Sequence, residues 1–241
     1  MLHTVRHHVK KHLKSGEYYR VLLMRTVGNF LILSALFMIG KTFYQPAREE
    51  ARYLLDNYLN KKYVLAGTNE AKKSAELPQP GGLSKLLNLK QVEILAPADP
   101  EYSIVIPKIG ANSRIIPNVN AANPDEYLAD LKEGVAQTLG THNPGEGGHI
   151  FLFAHSADNI FDVGTYNAVF YLLYKLDTGD QVNIFYKNHR YIYNVIGKKI
   201  VDPTEVNYLT RQTTSEFLTM QTCYPPGTTL KRLLVFAVPA K

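Results

Sequence analysis

Residues 26–40, TVGNFLILSALFMIG, carry no charge, and Arg25 and Lys41 stand at the two ends of the run. Fifteen helical residues reach about 22 Å, against about 30 Å for a bilayer's hydrocarbon core. Residues 21–24 and Phe43-Tyr44 lengthen the apolar stretch, and the two cations can reach headgroups along their methylene stems. Residues 21–44 are therefore expected to form a membrane-spanning helix. A buried helix of a soluble domain would not call for the basic tail that precedes this one. A cleaved signal peptide wants small residues after its apolar core, and Gly40-Lys41-Thr42-Phe43-Tyr44 has no such site. An interfacial helix needs a polar face, which the run lacks.

The charge distribution follows this division. The 241 residues carry 27 Lys+Arg and 21 Asp+Glu, a net of +6. Residues 1–20 hold five of the bases and one acid, whereas residues 99–241 hold 12 bases and 14 acids. The basicity thus lies outside the expected folded domain, and the Lys/Arg-rich tail before the helix is expected to stay in the cytoplasm by the positive-inside rule, with the remainder outside the cell. A cationic groove for phosphates is absent from the later part, which disfavours a nucleic-acid function. His3, His7, His8 and His12 in the tail read as solvated groups near anionic lipid rather than as a metal site.

Four segments are expected: a cytoplasmic tail (1–20), the anchor (21–44), a juxtamembrane helix and linker (45–98), and a folded domain (99–241). Pro46 followed by Glu49 and Glu50 has the look of a helix start, running to Asn60. From 61 to about 100, charged, small and Pro/Gly residues alternate, as in a stalk holding a domain off the membrane. Beyond Asp99 short apolar or alternating runs recur at 102–107, 113–119, 148–155, 181–186, 190–201, 216–223 and 232–238. Asn123-Pro124-Asp125-Glu126 reads as a helix cap and acidic first turn, opening a helix to Leu131, and 165–173 as another turn or short helix. The fold class is mostly β, a closed or nearly closed barrel.

Cys223 is the one cysteine, so neither an internal disulfide nor a thiolate metal cluster is available. It ends one apolar run, where a side chain can face a cleft; His155 ends another (Phe151-Leu152-Phe153-Ala154-His155), and Arg232 begins the last. Such a set supplies an attacking thiol, an imidazole to move its proton and to protonate a leaving amine, and a permanent cation for an oxyanion. His142 and His149 flank a Pro/Gly-rich turn and are weaker candidates for the imidazole, while His189 sits in a hairpin-like turn. Gly145-Glu146-Gly147-Gly148 lacks the Lys-Ser/Thr of a phosphate loop. Asp202, Glu205 and Glu216 are scattered, so no metal or other cofactor is expected.

At these residues the chain resembles the sortase family of cysteine transpeptidases. Thr219-Met220-Gln221-Thr222-Cys223 is close to the family's Thr-Leu-x-Thr-Cys signature, and Arg232 follows nine residues later. His155 after a hydrophobic strand, and Ile106-Pro107-Lys108-Ile109-Gly110 as an early strand motif, also fit. Met220 stands in place of the usual Leu, and Ala154 where many members have Gly. The resemblance implies an eight-stranded barrel that takes a Leu-Pro-x-Thr-Gly-type sorting signal on secreted proteins. It implies Cys223 as nucleophile, His155 as acid then base, Arg232 for oxyanion and substrate, and Thr222 as a minor contributor to substrate binding. The acyl group would pass to an amine, either a cell-wall precursor or a pilin lysine. Two other readings use the same residues differently: a hydrolytic membrane-anchored thiol protease, and a non-catalytic membrane-tethered binding barrel. Leu77-Pro78-Gln79-Pro80-Gly81 has Pro where a sorting signal has Thr and is read as chance.

Overall fold

The computed structural model describes residues 15–66, 92–156 and 169–240. The chain divides into two units at Tyr44/Gln45. A single helix, α1 (Ser15–Tyr58), contributes to both. Its residues Gly16–Lys41 are long and apolar enough to cross a membrane, with a mean hydropathy of 1.9. Position 46, expected to open a separate helix, lies inside α1. The helix stops where Asn60 turns left-handed (φ 51°). Lys61 N–H then donates to Asp56 O at 2.8 Å and Asn60 N–H to Asn57 O at 3.2 Å, the paired bonds that close a helix on a left-handed residue.

Two strands lie in the segment read as a stalk. β1 (Lys62–Leu65) and β2 (Val92–Leu95) pair in parallel, and Leu65 and Leu95 pack with Val105 of the barrel. Tyr63-Val64-Leu65 and Val92-Glu93-Ile94-Leu95 are rich in residues that suit a pleated surface, and both lie at the edges of the polar, Pro/Gly-containing stretch. The residues between them, and 165–168 of the expected second helix, lie outside the described residues. Residues 169–172 form a turn that leads into a short 3-10 helix, Leu173–Lys175.

The remaining strands close a barrel. In chain order these are β3 (Tyr102–Ile106), β4 (Ala111–Val119), β5 (Val135–Thr138), β6 (His149–Phe153), β7 (Gln181–Tyr186), β8 (His189–Val201), β9 (Phe217–Tyr224) and β10 (Lys231–Pro239). Around the barrel they run β10-β8-β7-β3-β4-β5-β6-β9, and β9 pairs with β10 to complete the ring. Seven of the eight coincide with runs visible in the sequence. The eighth, β5, has only four residues, Val135-Ala136-Gln137-Thr138, all buried, so it shows no alternation.

β4 and β5 are parallel, which requires a crossover, and α2 (Pro124–Glu133) supplies it. Gly134 then lets β5 leave α2 against β4: a Cβ there would meet Arg114 O at 2.5 Å. The core joins Ile104 and Ile106 of β3, Ile150 and Leu152 of β6, Tyr193 of β8, Leu218 and Met220 of β9, and Leu233 and Val235 of β10.

Candidate active site

Strand direction brings the chemistry-bearing residues to one rim of the barrel. β9 and β10 form an antiparallel pair in which Arg232 stands directly opposite Cys223. Opposed residues on one face hold their Cβ atoms about 5 Å apart. β6 lies on the other side of β9 and runs parallel to it, with Phe153 level with Gln221. Ala154 N–H donates to Gln221 O at 3.1 Å, which extends the pairing one step past the strand. His155 follows, and the chain direction carries it to the same rim as Cys223.

Period-2 alternation sets which side chains face the site. Leu218 and Met220 belong to the core, and Thr222 shares their parity: it is buried, and its Oγ1 donates to Ala154 O at 3.0 Å. Cys223 shares the other face with Gln221, Thr219 and Phe217, and is half-buried. Thr222 is thus placed behind the rim, with its hydroxyl committed to the residue before His155.

The loop from Cys223 to Arg232 is tied to the His155 segment as well. Gly227, at φ 81°, donates its N–H to Ser156 Oγ at 3.4 Å. Thr228 N–H and Oγ1 both donate to Pro225 O, at 3.0 and 2.8 Å. Arg232 Nη1 donates to Thr229 O and Lys231 O, each at 3.1 Å, so the loop's own carbonyls aim the guanidinium. In the sequence Ser156 directly follows His155. Its facing partner, Gly227, lies 71 positions away.

Burial pushes the Cys223 thiol above its ordinary pKa, and the Arg232 cation pulls it partway back. The resting sulfur at neutral pH is therefore mainly the thiol, and a proton acceptor is needed before it can attack.

The other histidines lie elsewhere. His149 is level with Phe217, six residues down β9 from Cys223, which is about 20 Å of strand. It is buried, and its Nε2 is 2.8 Å from Thr219 Oγ1. Burial, reinforced by the Arg211 cation, pushes its pKa down to about 4. His142 sits at that same end, its N–H donating to His149 O at 2.9 Å. His189 is exposed beside the turn between β7 and β8, its Nδ1 2.9 Å from Lys187 O.

The glycine-rich turn before β6 is occupied by the protein's own carboxylate. Gly145 and Gly147 donate their N–H groups to Glu216 Oε2 at 2.8 and 3.3 Å, and Tyr193 OH donates to Oε1 at 2.6 Å. Asp202 is paired with Lys231 at 2.6 Å, and Glu205 Oε1 accepts from Asp202 N–H at 3.2 Å. Among the described residues no group of three His, Cys, Asp or Glu side chains is placed to hold a metal.

Sortase D of Bacillus subtilis (strain 168) is 29% identical over 175 residues, 69% of this chain and 79% of its own. A sortase D5 transpeptidase of Clostridium perfringens is 22% identical with a TM-score of 0.47, covering 73% of this chain and 91% of its own. A C. perfringens sortase C, solved with a C-terminal cell wall sorting motif, is 27% identical with a TM-score of 0.47, covering 58% of this chain and 69% of its own. The family model for the sortase domain matches residues 104–240, more than half of the chain and nearly all of the closed barrel. The chain belongs to the sortase family, the cysteine transpeptidases.

Proposed function

We propose that Cys223, His155 and Arg232 form the catalytic set of a membrane-anchored sortase that cleaves a Leu-Pro-x-Thr-Gly-type signal. The observation that carries this reading is the Arg232–Cys223 rung, with β6 delivering His155 to the same rim. His155 takes the thiol proton, and the sulfur attacks the Thr–Gly carbonyl. Arg232 faces the oxyanion that forms. As the C–N bond breaks, His155 gives its proton to the departing glycine amine, leaving a thioester on Cys223. An incoming amine, of a cell-wall precursor or a pilin lysine, gives up a proton to His155 and releases the thiol as the new amide forms. Thr222 assists substrate binding through its backbone, since its side chain holds Ala154.

In this reading residues 21–44 anchor the chain with the N-terminus in the cytoplasm, and the barrel works outside the cell. The basic tail and the apolar helix support that orientation. The test is full-length protein in detergent micelles with a signal peptide, with and without triglycine, read by mass spectrometry. Cleavage lost in Cys223→Ala, with an amide product only when triglycine is present, is the expected result. A hydrolysed product alone would turn the reading toward a thiol protease. Undiminished turnover by Cys223→Ala would turn it toward a binding barrel.

A further inference from the structure

Strand β8 ends at the rim with Val201 opposite Arg232, and β9 starts at the other end of the barrel, where Phe217 is level with His149. Both strands run antiparallel to β10, which lies between them, so they are parallel to each other and need a crossover. The inside of the barrel is filled by its core, and residues 202–216 return along the outside, over β10. That outer face is the one bearing Cys223 and Arg232. Along β9 its exposure falls away from the rim: Cys223 and Gln221 are partly exposed, and Thr219 is buried. The open floor thus stops at the rung formed by Thr219 and Phe236.

At that rung the crossover is fastened to the sheet. The Arg211 guanidinium lies over the rings of Phe217 of β9 and Phe236 of β10, 4.8 and 5.4 Å from their centroids, and over Tyr208 of the crossover itself at 5.6 Å. Tyr208 OH accepts from Lys199 Nζ of β8, and its ring is 6.0 Å from that of Phe236. The His149 imidazole meets the Arg211 main chain from the side of β6. Nearer the rim, the Asp202–Lys231 pair is half exposed and holds little. The crossover's backbone bonds, Glu205 N–H to Asp202 O and Leu209 N–H to Val206 O among them, stay within it, and none of its residues is buried outright. Such a segment opens easily unless its side chains hold it.

We infer that Arg211 is a positioning residue, its guanidinium pinning the crossover as a wall beside the Cys223 floor and so setting the affinity for the sorting-signal peptide. The inference rests on the catalytic set proposed above. A guanidinium held over aromatic rings favours the closed position by about five- to thirtyfold. Without it the crossover lifts from the Phe217–Phe236 face, and a peptide lying on the floor loses one wall of its cleft. Cys223 and Arg232 stand four rungs up the strands, about 13 Å away, and keep their places. The loss therefore falls on KM rather than on kcat.

The experiment compares wild type and Arg211→Gln as full-length protein in detergent micelles, with thermal melting alongside. Hydrogen exchange read by mass spectrometry follows the crossover, and turnover of a Leu-Pro-x-Thr-Gly peptide with triglycine gives kcat and KM. In Arg211→Gln the amides of residues 203–213 are expected to exchange about five- to thirtyfold faster, with those of β9 and β10 unchanged. KM for the peptide is expected to rise about threefold or more, because only the closed fraction binds it well. The value of kcat should stay within about twofold. Alkylation of Cys223 by iodoacetamide at pH 7, which needs no wall, should also stay within about twofold. Unchanged exchange in the crossover would overturn the inference. So would faster exchange throughout the barrel with a lower melting temperature, or a loosened crossover with wild-type KM. If wild type turns over no peptide, the proposed function fails, and the exchange comparison still decides whether Arg211 holds the crossover.

Discussion

Replacing Thr222 by Val keeps the side chain's branched shape and removes one hydroxyl from a site only 3% exposed. That hydroxyl is the donor to Ala154 O, and Ala154 is itself 5% exposed, so water has little access to replace the lost partner. Removing one side of a buried neutral hydrogen bond while stranding the other costs about 1–3 kcal/mol. For a cooperative unit near 200 residues, each kcal/mol lowers Tm by about 2–4 °C. Thr222→Val should therefore melt about 2–12 °C below wild type in calorimetry of the full-length protein in micelles. Thr222→Ser keeps the donor and loses one methyl group, so it should fall by about 1 kcal/mol or less in stability. Activity should separate the pair more sharply than melting does. Val frees the carbonyl that immediately precedes His155, and kcat should fall by about tenfold or more, whereas Ser should stay within about threefold. If Val and Ser melt together and turn over alike, the Thr222–Ala154 bond holds neither the fold nor the histidine.

Three further outcomes follow from the same geometry. Burial raises the Cys223 thiol, so its alkylation rate should keep climbing with pH beyond the ordinary thiol range, and Arg232→Gln, which removes the cation favouring thiolate, should move that rise higher still; a downward move would refute the assignment. His149 is neutral in the fold down to about pH 4 but protonates near 6.5 when unfolded, so stability should be present above 6.5 and lost as pH falls from 6.5 toward 4. The full gap is worth about 3 kcal/mol. His149→Gln should flatten that part of the Tm–pH curve; an unchanged slope would place the acid sensitivity elsewhere. Glu216→Ala strips the acceptor from Gly145, Gly147 and Tyr193 and should destabilise by about 2 kcal/mol, with kcat per folded molecule nearly unchanged, because Glu216 lies at the barrel end opposite Cys223. A kcat loss larger than about fivefold would contradict that separation.

The parts legible in the sequence are those where local pattern and tertiary role agree. Seven barrel strands carry alternation or apolar runs, and α2 carries its Pro, acids and closing Gly134. β5 escapes because all four of its residues are buried and two of them, Gln137 and Thr138, are polar. The helix boundary at position 46 misleads because proline and acids there look like a fresh start, whereas the helical hydrogen bonding continues through to Tyr58. The site divides the same way. Cys223 and Arg232 are joined by a short loop between two consecutive strands, so their adjacency follows from one antiparallel pairing. His155 reaches them only through a parallel pairing between segments 68 residues apart, and no local periodicity carries that information. The contacts of Ser156 and Thr222 are hidden for the same reason, since each meets a partner about 70 positions away.

Parallel pairing of β6 with β9 also explains why Cys223 and His155, from distant parts of the chain, emerge at one edge. Parallel strands finish on the same side, so whatever follows β6 and whatever ends β9 share a rim, and the antiparallel β10 begins there. Which face Cys223 presents is then decided by its neighbours. Leu218 and Met220 are fully buried, and each contributes about 1.5–3 kcal/mol by leaving water. A slip of one residue in β9 would turn both outward, bring Phe217, Gln221 and Cys223 to the core face, and put Thr222 on the face that Cys223 now occupies. That slip forfeits the burial of two large apolar side chains along with the Thr222–Ala154 bond. The residues that keep the sulfur on the face it shares with Arg232 are therefore the apolar ones that alternate with it and pack into the core.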